Sequence, residues 1–288
     1  MRKDLVLRVR IEEVGGVPTR YYHEGSGLPL LLVHGVGVTA DTWLRNIDPL
    51  AEDFSVYAPD LLDNGYSGQG NYTGGPPQPH MVAHLADFAD HLGLDEFAVC
   101  GSSFGGLLAA LLHLHMPERV TRLILLSSGT LFNSEEELAR TLAESHANGS
   151  SAMDDPSWES CQRRMERIVH DPAAVPPEMI FAQLTLYAMP GQREAYERRM
   201  RGLMDIEACR PYRVAERLEE IAAPTLMIWG KDDPRAVMAR AEDAAARIPD
   251  ATLVVFERCK HHPHVEQAGR FNDLARRFLK GQALADAA

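Results

Sequence analysis

A serine flanked by glycines, between an apolar run and a helical pattern, constrains this chain more than any other feature. Residues 100–106 read Cys-Gly-Ser-Ser-Phe-Gly-Gly and contain a G-x-S-x-G pattern centred on Ser103. The apolar run 97–100 precedes it and a helical pattern over 107–115 follows it. At a sharp strand-to-helix turn the serine hydroxyl is exposed, and the glycines let the chain pack closely on both sides. The setting favours a nucleophile at Ser103 over a chance glycine-rich turn.

Polar side chains follow two later apolar runs. A hydroxyl nucleophile needs a base to take its proton and an acid to orient that base. The runs 224–229 and 251–256 are typical of buried parallel strands, whose carboxyl ends form the sites of open sheets. Asp233 follows the first run and His261 follows the second. The order Ser, Asp, His along the chain predicts an acid and a base for Ser103.

Neighbouring residues offer alternatives for both roles. Asp232 adjoins Asp233, although adjacent strand-end residues point in opposite directions. His262 and His264 are rivals to His261. The three histidines also resemble part of a zinc site, but no HExxH motif or cysteine pair accompanies them. We therefore predict a site without a metal or another cofactor.

The remaining patterns predict strands, then helices, then strands again. Apolar alternation and turn residues predict further strands over 5–11, 17–24, 29–33, 54–60 and 120–126, the first two as a hairpin, and helices over 79–92 and 271–279. From about 131 to 213 the strand signals stop and prolines interrupt a charged, helix-like region. The layout predicts a core formed by residues 1–132 and 214–288, with a helical cap inserted at 133–213.

Two features of the predicted cap have competing interpretations. Six of the chain's 11 methionines lie there, either lining an apolar substrate pocket or packing the helices of the cap, and the second is favoured. These are Met153, Met165, Met179, Met189, Met200 and Met204. The charged runs 163–167 and 198–201 are typical of solvated helix faces rather than of ligand-binding clamps.

From about residue 15 to residue 280 the chain resembles the α/β-hydrolase-fold serine hydrolases. The matching residues are His34-Gly35, Asp60 with Gly65 and Ser67, the G-x-S-x-G pattern, Gly230 to Asp233, and His261 with Val265-Glu266. The resemblance implies an α/β fold with a mostly parallel sheet flanked by helices and an inserted helical cap. It implies that Ser103 is the nucleophile, Asp233 the acid and His261 the base. Val36 and Phe104 would supply the amides of an oxyanion hole, while His34 would be structural.

The reaction class follows less directly. A serine triad with an oxyanion hole supports hydrolysis of carboxylic esters through an acyl-enzyme, which is our first expectation. The stretch 45–50 and the cap layout also resemble the carbon–carbon hydrolases of meta-ring-fission products. Those enzymes usually carry an asparagine before the serine, an arginine in the cap and a tryptophan after the histidine. A non-catalytic ligand receptor on the same fold is a third hypothesis.

In this chain the three corresponding places hold Ser102, Gln183 and His262. Together with Gly37 they are the predicted substrate contacts. Without a cationic clamp, a dianionic dienoate would be poorly held, so the carbon–carbon reaction ranks second.

The composition of the chain disfavours some classes of binding partner. The net charge of −12 disfavours nucleic acid and anionic membrane surfaces as partners. No apolar run approaches the ~18 residues of a membrane span, and the four cysteines lack paired spacing. We predict a cytoplasmic enzyme with reduced thiols, acting on a small apolar ester or related acyl substrate, with homo-oligomerisation left open.

Overall fold

One eight-stranded sheet organises residues 8–284, the part of the chain that this computed structural model describes. The strands are β1 Arg8–Val14, β2 Val17–Gly25, β3 Leu28–Val33, β4 Phe54–Pro59, β5 Phe97–Ser102, β6 Val120–Leu126, β7 Thr225–Gly230 and β8 Ala251–Phe256. Their spatial order is β1-β2-β4-β3-β5-β6-β7-β8. β2 pairs antiparallel with β1 and β4, and the other pairs are parallel. The mostly parallel α/β sheet is confirmed.

Each predicted strand corresponds to an observed one, most of them to within about a residue, but β1 ends three residues later than predicted and β5 two residues later. The predicted hairpin is formed by β1 and β2, which pair from Arg8 with His23 to Val14 with Val17. The first residues of its predicted outer strand, 5–7, lie outside the described residues.

Twelve helices connect and cover the strands of residues 8–284. They are α1 Ile47–Ala51, α2 Gln78–His91, α3 Phe104–His115, α4 Gly129–Phe132, α5 Glu135–Asp154, α6 Trp158–Glu166, α7 Pro177–Tyr187, α8 Gln192–Met204, α9 Ile206–Cys209, α10 Met238–Arg247, α11 Pro263–Glu266 and α12 Ala268–Leu279. α2 and α12 correspond to the two helices that the apolar spacing predicts. Within the same residues, no helix is both long and apolar enough to cross a bilayer.

The central strands of the sheet, such as β3, β5 and β7, are buried on both faces, which explains why they are almost continuously apolar. In β3, Leu31 and Val33 point into the apolar cluster that includes side chains of α2 and α3. Leu30 and Leu32 point into the opposite cluster, which contains side chains of α12. All four are 0% exposed. Strands covered by helices on both sides lose the alternation of apolar and polar residues.

Between β6 and β7 the described chain contains helices and no strand. We call residues 133–213 the cap segment; its standing as a separate cap stays a prediction. Four of its six methionines, Met153, Met165, Met179 and Met200, are buried in the same apolar cluster as one face of the sheet. This burial favours the interpretation that they pack helices rather than line a substrate pocket.

Candidate active site

The strand-to-helix turn at Ser103 has the geometry that the sequence pattern predicts. β5 ends at Ser102 and α3 begins at Phe104, and Ser103 between them adopts a φ of 55°. A positive φ at a non-glycine residue costs about 1–3 kcal/mol and persists only where the surroundings enforce it. A Cβ at Gly101 would lie 2.2 Å from the carbonyl oxygen of Gly105, so both glycines are needed for this turn. The turn displays the serine hydroxyl above the sheet.

Ser103, His261 and Asp233 form a continuous hydrogen-bonded chain. Nε2 of His261 lies 3.0 Å from the hydroxyl oxygen of Ser103. Nδ1 of His261 lies 2.9 Å and 3.1 Å from the two carboxylate oxygens of Asp233, whose side chain is fully buried. The carboxylate favours a proton on Nδ1, which leaves Nε2 free to accept the proton of the serine. This arrangement is able to activate a hydroxyl nucleophile.

Asp232 and His264, the alternative candidates for the acid and the base, contact other residues. Asp232 is 44% exposed and pairs with His170 at 2.9 Å. Nε2 of His264 lies 3.0 Å from the hydroxyl of Thr42, and burial lowers the pKa of this histidine to about 3. Of the candidates weighed from the sequence, Asp233 and His261 are the pair that lies in line with Ser103. Across residues 8–284, no cluster of three or more His, Cys, Asp or Glu side chains has an arrangement suited to a metal ion.

The predicted oxyanion amides flank the serine. Val36 lies in the loop after β3 and lines the same pocket as Ser103. A Cβ at the neighbouring Gly35 would be 3.1 Å from the Cβ of Ser103, so the loop passes close to the nucleophile. Phe104 is the first residue of α3, where backbone N–H groups have no intrahelical acceptor. Both residues therefore lie close to Ser103, and their role as donors to an oxyanion stays a prediction.

His34 supports that loop from below, as the resemblance implies. Its ring is fully buried, Nε2 accepts a hydrogen bond of 3.0 Å from the amide of Leu61, and Nδ1 donates to the carbonyl of Gly35 at 2.8 Å. Burial lowers the pKa of His34, so the ring stays neutral and keeps both bonds. The side chain is structural.

A narrow pocket opens beside the serine, with a cavity volume of about 20 Å³, which is room for about one water molecule. It is lined by Val36, Ser103, Gly129, Thr130, Thr141, Leu142, Ser145, Arg235 and His261. Three of these residues, Thr141, Leu142 and Ser145, belong to α5 of the cap segment. The helix that follows β6 and α4 therefore forms part of the wall, and the cap methionines do not.

The four predicted substrate contacts, Gly37, Ser102, Gln183 and His262, are not among the residues that line this pocket. Gly37 accepts a hydrogen bond of 2.8 Å from the hydroxyl of Tyr187, and Ser102 is buried at the end of β5. The amide nitrogen of Gln183 donates to the sulfur of Met165 at 3.1 Å. His262 packs edge-on against His261 with ring centroids 5.3 Å apart. Their roles in substrate binding stay predictions.

The expectation that the charged run 163–167 is a solvated helix face is wrong for Arg164. Arg163 and Arg167 are exposed, but Arg164 is 4% exposed. One of its terminal nitrogens lies only 2.9 Å from the position that a Cβ would take at Gly37. The signal was present in the sequence, because Arg164 falls between Cys161 and Met165 on the apolar stripe of α6.

The expectation of a solvated helix face is likewise wrong for Arg199 in the second charged run, 198–201. It is 2% exposed, and its guanidinium donates to the side-chain oxygen of Asn64 at 3.1 Å. It also lies 3.7 Å from the carboxylate of Asp63. This arginine ties α8 to the loop after β4 and lies on the buried face of its helix.

Arg235 is a site residue that sequence reasoning missed. It lines the pocket together with Ser103 and His261, and its backbone amide donates to Asp233 at 2.8 Å. Burial lowers the pKa of Arg235 to about 10, and the positive charge of Arg164 acts in the same direction. The premise that the site lacks a cationic group is therefore wrong. No local pattern identified Arg235, since a lone arginine after Asp233 has no periodicity to follow.

Comparison with known proteins identifies the family. The alpha/beta hydrolase family model matches residues 30–274. The chain belongs to the alpha/beta hydrolase family. It is 30% identical to a 2-hydroxymuconate semialdehyde hydrolase from Pseudomonas sp. (strain CF600), with 95% of this chain and 93% of that protein covered.

Solved structures of this family superpose well on the chain. A meta-cleavage product hydrolase from Pseudomonas fluorescens IP01 has a TM-score of 0.76 at 27% identity, covering 94% of this chain and 97% of the other. A membrane phospholipase A described as a bacterial virulence factor has a TM-score of 0.80 at 25% identity, covering 96% and 86%. The α/β-hydrolase fold implied by the sequence resemblance is confirmed, and the chain is a hydrolase of that fold.

Proposed function

We propose that this hydrolase cleaves the carbon–carbon bond beside a ketone in an acidic, 2-hydroxy-6-oxo-dienoate type of ring-fission product. The observation that carries the proposal is Arg235 in the pocket wall beside Ser103 and His261. The ester reaction ranked first from the sequence because an anionic dienoate lacked a cationic partner. Because Arg235 can act as such a cation, that reason no longer holds, and the carbon–carbon reaction ranks above ester hydrolysis.

Several relatives of this chain support the same choice. Proteins named as meta-cleavage or 2-hydroxymuconate semialdehyde hydrolases match the chain at 27–30% identity over more than nine-tenths of its length. A fold alone does not determine the substrate, so the choice of reaction also depends on the chemistry of the site.

In the first step Ser103 adds to the ketone carbon of the substrate. His261 takes the hydroxyl proton on Nε2 as the C–O bond forms, and Asp233 stabilises the resulting imidazolium. The carbonyl electron pair moves to oxygen, where the amides of Val36 and Phe104 receive the negative charge. The result is a tetrahedral oxyanion bonded to Ser103.

In the second step the oxyanion collapses and the carbon–carbon bond breaks. A carbon leaving group departs with an electron pair, which is favourable only where conjugation spreads the charge. The substrate provides that conjugation once its 2-hydroxyl proton has moved to the carbon beside the ketone, because the departing electron pair then spreads as a dienolate to the 2-oxygen, where a cation such as Arg235 stabilises the negative charge. His261 gives its proton to the dienolate, and an acyl group stays on Ser103.

In the third step water releases the acyl group. His261 removes a proton from the water as it attacks the acyl carbon, and the proton then passes to the oxygen of Ser103 as the ester bond breaks. The products are a carboxylic acid and the shortened dienoic acid, and the enzyme regains its starting form.

Hydrolysis of a carboxylic ester is the second candidate, since it uses the same addition to a carbonyl and the same acyl-enzyme. The likeness to the solved phospholipase A favours it. The two candidates differ in the leaving group: an alkoxide needs no conjugated acceptor and no cation beyond the oxyanion hole.

The test is a comparison of kcat/KM for a ring-fission dienoate and for p-nitrophenyl esters of increasing acyl length. We expect the dienoate to be preferred by about 100-fold or more, with loss of its chromophore matching formation of the two acids. Ser103→Ala should retain the fold and lose about 10⁴-fold in kcat on both substrate types.

Three outcomes contradict the proposal. Rapid p-nitrophenol release with an inert dienoate assigns the protein to the esterases. One slow turnover followed by tight product retention on every substrate supports the receptor hypothesis. A Ser103→Ala variant as active as the wild type would place the chemistry elsewhere.

A further inference from the structure

Two arginines from different parts of the chain converge beside the candidate triad. Arg164 comes from α6 of the cap segment and reaches the loop at Gly37, next to the predicted oxyanion amide. Arg235 comes from the loop after β7 and reaches the pocket from the side of Asp233. Each is close enough to the other for its charge to be felt. Arg164 is buried and Arg235 is partly buried, so their like charges repel and lose hydration, and the arrangement needs an explanation.

Neither arginine has a counter-ion committed to it among residues 8–284. Nε of Arg164 has no partner, and one terminal nitrogen of Arg164 lies 3.6 Å from the sulfur of Met165. The side chain of Arg235 forms no ion pair and no hydrogen bond with these residues. The acidic groups facing Arg235 are Asp233, which binds His261, and Glu144, which pairs with Arg140.

Two further polar groups beside the arginines are also unsatisfied. His262 is 4% exposed and both of its ring nitrogens lack a partner. The side-chain oxygen of Gln183, likewise 4% exposed, has none either. Burial, then the charges of His261, His264, Arg235 and Arg164, hold the pKa of His262 well below its usual range. A neutral imidazole keeps one N–H to donate.

Buried polar groups in native proteins are almost always paired, so several orphans at one place indicate a missing ligand. The unpaired atoms at this place are two donors, Nε of Arg164 and one ring nitrogen of His262, and two acceptors, the other ring nitrogen and the side-chain oxygen of Gln183, while the two guanidiniums are cations. The complementary ligand is an anion with several acceptor lone pairs.

We propose that Arg164 and Arg235 together form a carboxylate receptor, with the N–H of His262 as an additional donor, that orients the substrate's carboxylate on the Gly37 side of Ser103. This inference deepens the proposed function, and rests on it for the identity of the natural substrate. The cationic groups come from α6 and from the loop after β7, not from the two places, Gln183 and His262, that the resemblance to ring-fission hydrolases singles out.

A carboxylate fits this receptor because its planar pair of oxygens can accept from two guanidinium forks. One negative charge between two positive ones also removes most of their mutual repulsion. Since Arg164 belongs to the cap segment and Arg235 does not, a bound carboxylate should tie the two together. Ligand binding and stability are then linked, because the anion binds the folded protein only.

The test measures binding without turnover, in a Ser103→Ala background. The probes are hexa-2,4-dienoate and its neutral amide, which share their shape and differ in charge; calorimetry supplies Kd and a thermal scan supplies the midpoint. We expect the carboxylate to bind at least 10-fold more tightly than the amide and to raise the midpoint, while the amide leaves it unchanged.

Substitutions then locate the receptor. Arg164→Gln and Arg235→Gln should each weaken hexa-2,4-dienoate binding about 10- to 100-fold and leave amide binding unchanged. Arg163→Gln, on the adjacent exposed residue of α6, is the matched control and should change neither. Arg164→Lys and Arg235→Lys keep the charge and should retain part of the carboxylate affinity. These variants also cover the case in which a glutamine variant fails to fold.

The receptor is refuted if the carboxylate and the amide bind equally, if neither binds, or if the two glutamine variants bind the carboxylate like the Arg163→Gln control. Its failure is distinguishable from failure of the proposed function. If carboxylate binding depends on the arginines but a ring-fission dienoate is not cleaved, the receptor is supported and the proposed reaction is refuted. If the dienoate is cleaved but carboxylate binding does not depend on the arginines, the reaction is supported and the receptor is refuted.

Discussion

The backbone N–H of His261 donates a hydrogen bond of 3.0 Å to the carbonyl oxygen of Ile168. Ile168 lies in the cap segment just after α6, whereas His261 follows β8. Two residues further on, the backbone N–H of His170 donates to the carboxylate of Glu266 at 2.6 Å. The cap segment therefore holds the loop that carries the candidate base, in addition to forming part of the pocket wall.

Glu266 is the centre of this connection, and its removal should loosen the base. Its carboxylate also accepts from the backbone N–H groups of Lys260 at 3.0 Å and His262 at 3.2 Å. In Glu266→Ala three N–H groups lose a charged acceptor, so we expect kcat to fall about 10-fold and the free energy of unfolding to fall by about 2 kcal/mol.

Glu257→Ala is the control for Glu266→Ala, since Glu257 is exposed and pairs only with Lys231. It should change the free energy of unfolding by no more than about 0.5 kcal/mol. Steady-state kinetics and urea unfolding supply the two numbers. Equal effects of the two substitutions would show that Glu266 does not position the base.

The two adjacent aspartates should differ sharply on substitution. Asp233 is fully buried against His261, so Asp233→Asn should favour the wrong tautomer of the ring and reduce kcat about 10²- to 10⁴-fold. Asp232 is 44% exposed and pairs with His170, so Asp232→Asn should stay within a few-fold of the wild type. Both variants are measured on the same substrate. The reverse ranking would assign the acid to Asp232.

Leu142 and Met200 should separate specificity from stability in the cap segment. Leu142 lines the pocket, so Leu142→Ala should enlarge it and shift kcat/KM between a small and a large acyl group by about 1–3 kcal/mol. Met200 is 0% exposed within the apolar cluster, so Met200→Ala should cost about 2–5 kcal/mol of stability and leave the acyl preference unchanged. A changed acyl profile in Met200→Ala would restore the methionines as pocket residues.

Stability should fall in acid because of buried histidines. Burial lowers the pKa of His264 to about 3, against roughly 6.5 in an unfolded chain. Between these values the unfolded chain holds a proton that the folded ring does not, so stability decreases as pH falls through this window and is complete above about pH 6.5. The slope contributed by His264 should approach about 1.4 kcal/mol per pH unit.

Urea unfolding at a series of pH values measures this slope. His264→Gln keeps a side chain able to bind Thr42 and should flatten the dependence, although buried His262 leaves part of it. His115→Gln, at an exposed position, should leave the dependence unchanged. An unaltered slope in His264→Gln would mean that its ring is protonated in the folded state as readily as in the unfolded one.

The strands and the turn at Ser103 were predictable because their causes are local. Continuous apolar runs such as β3 and β7 follow from burial on both faces of a parallel sheet, and the glycines around Ser103 follow from backbone contacts within a few residues. The α/β-hydrolase fold could therefore be inferred from short patterns, which the family comparison confirms.

The positive charge of the pocket could not be predicted from local sequence patterns. The apolar stripe of α6 contained the evidence that Arg164 is buried, but the charged run around it suggested a solvated face. Arg235 carried no signal at all, because its position depends on how the loop after β7 meets the cap segment. Those contacts join residues more than 60 positions apart.

The sequence by itself thus determined where the strands lie along the chain, the exposed serine turn and the candidates for acid and base. Each of these depends on periodicity or on neighbouring residues. Only the tertiary structure decided that Asp233 rather than Asp232 meets His261, and that Arg164 and Arg235 converge beside Ser103. The physical reason is that hydrogen bonds and electrostatic interactions act through space, between side chains that the fold brings within a few ångströms of each other.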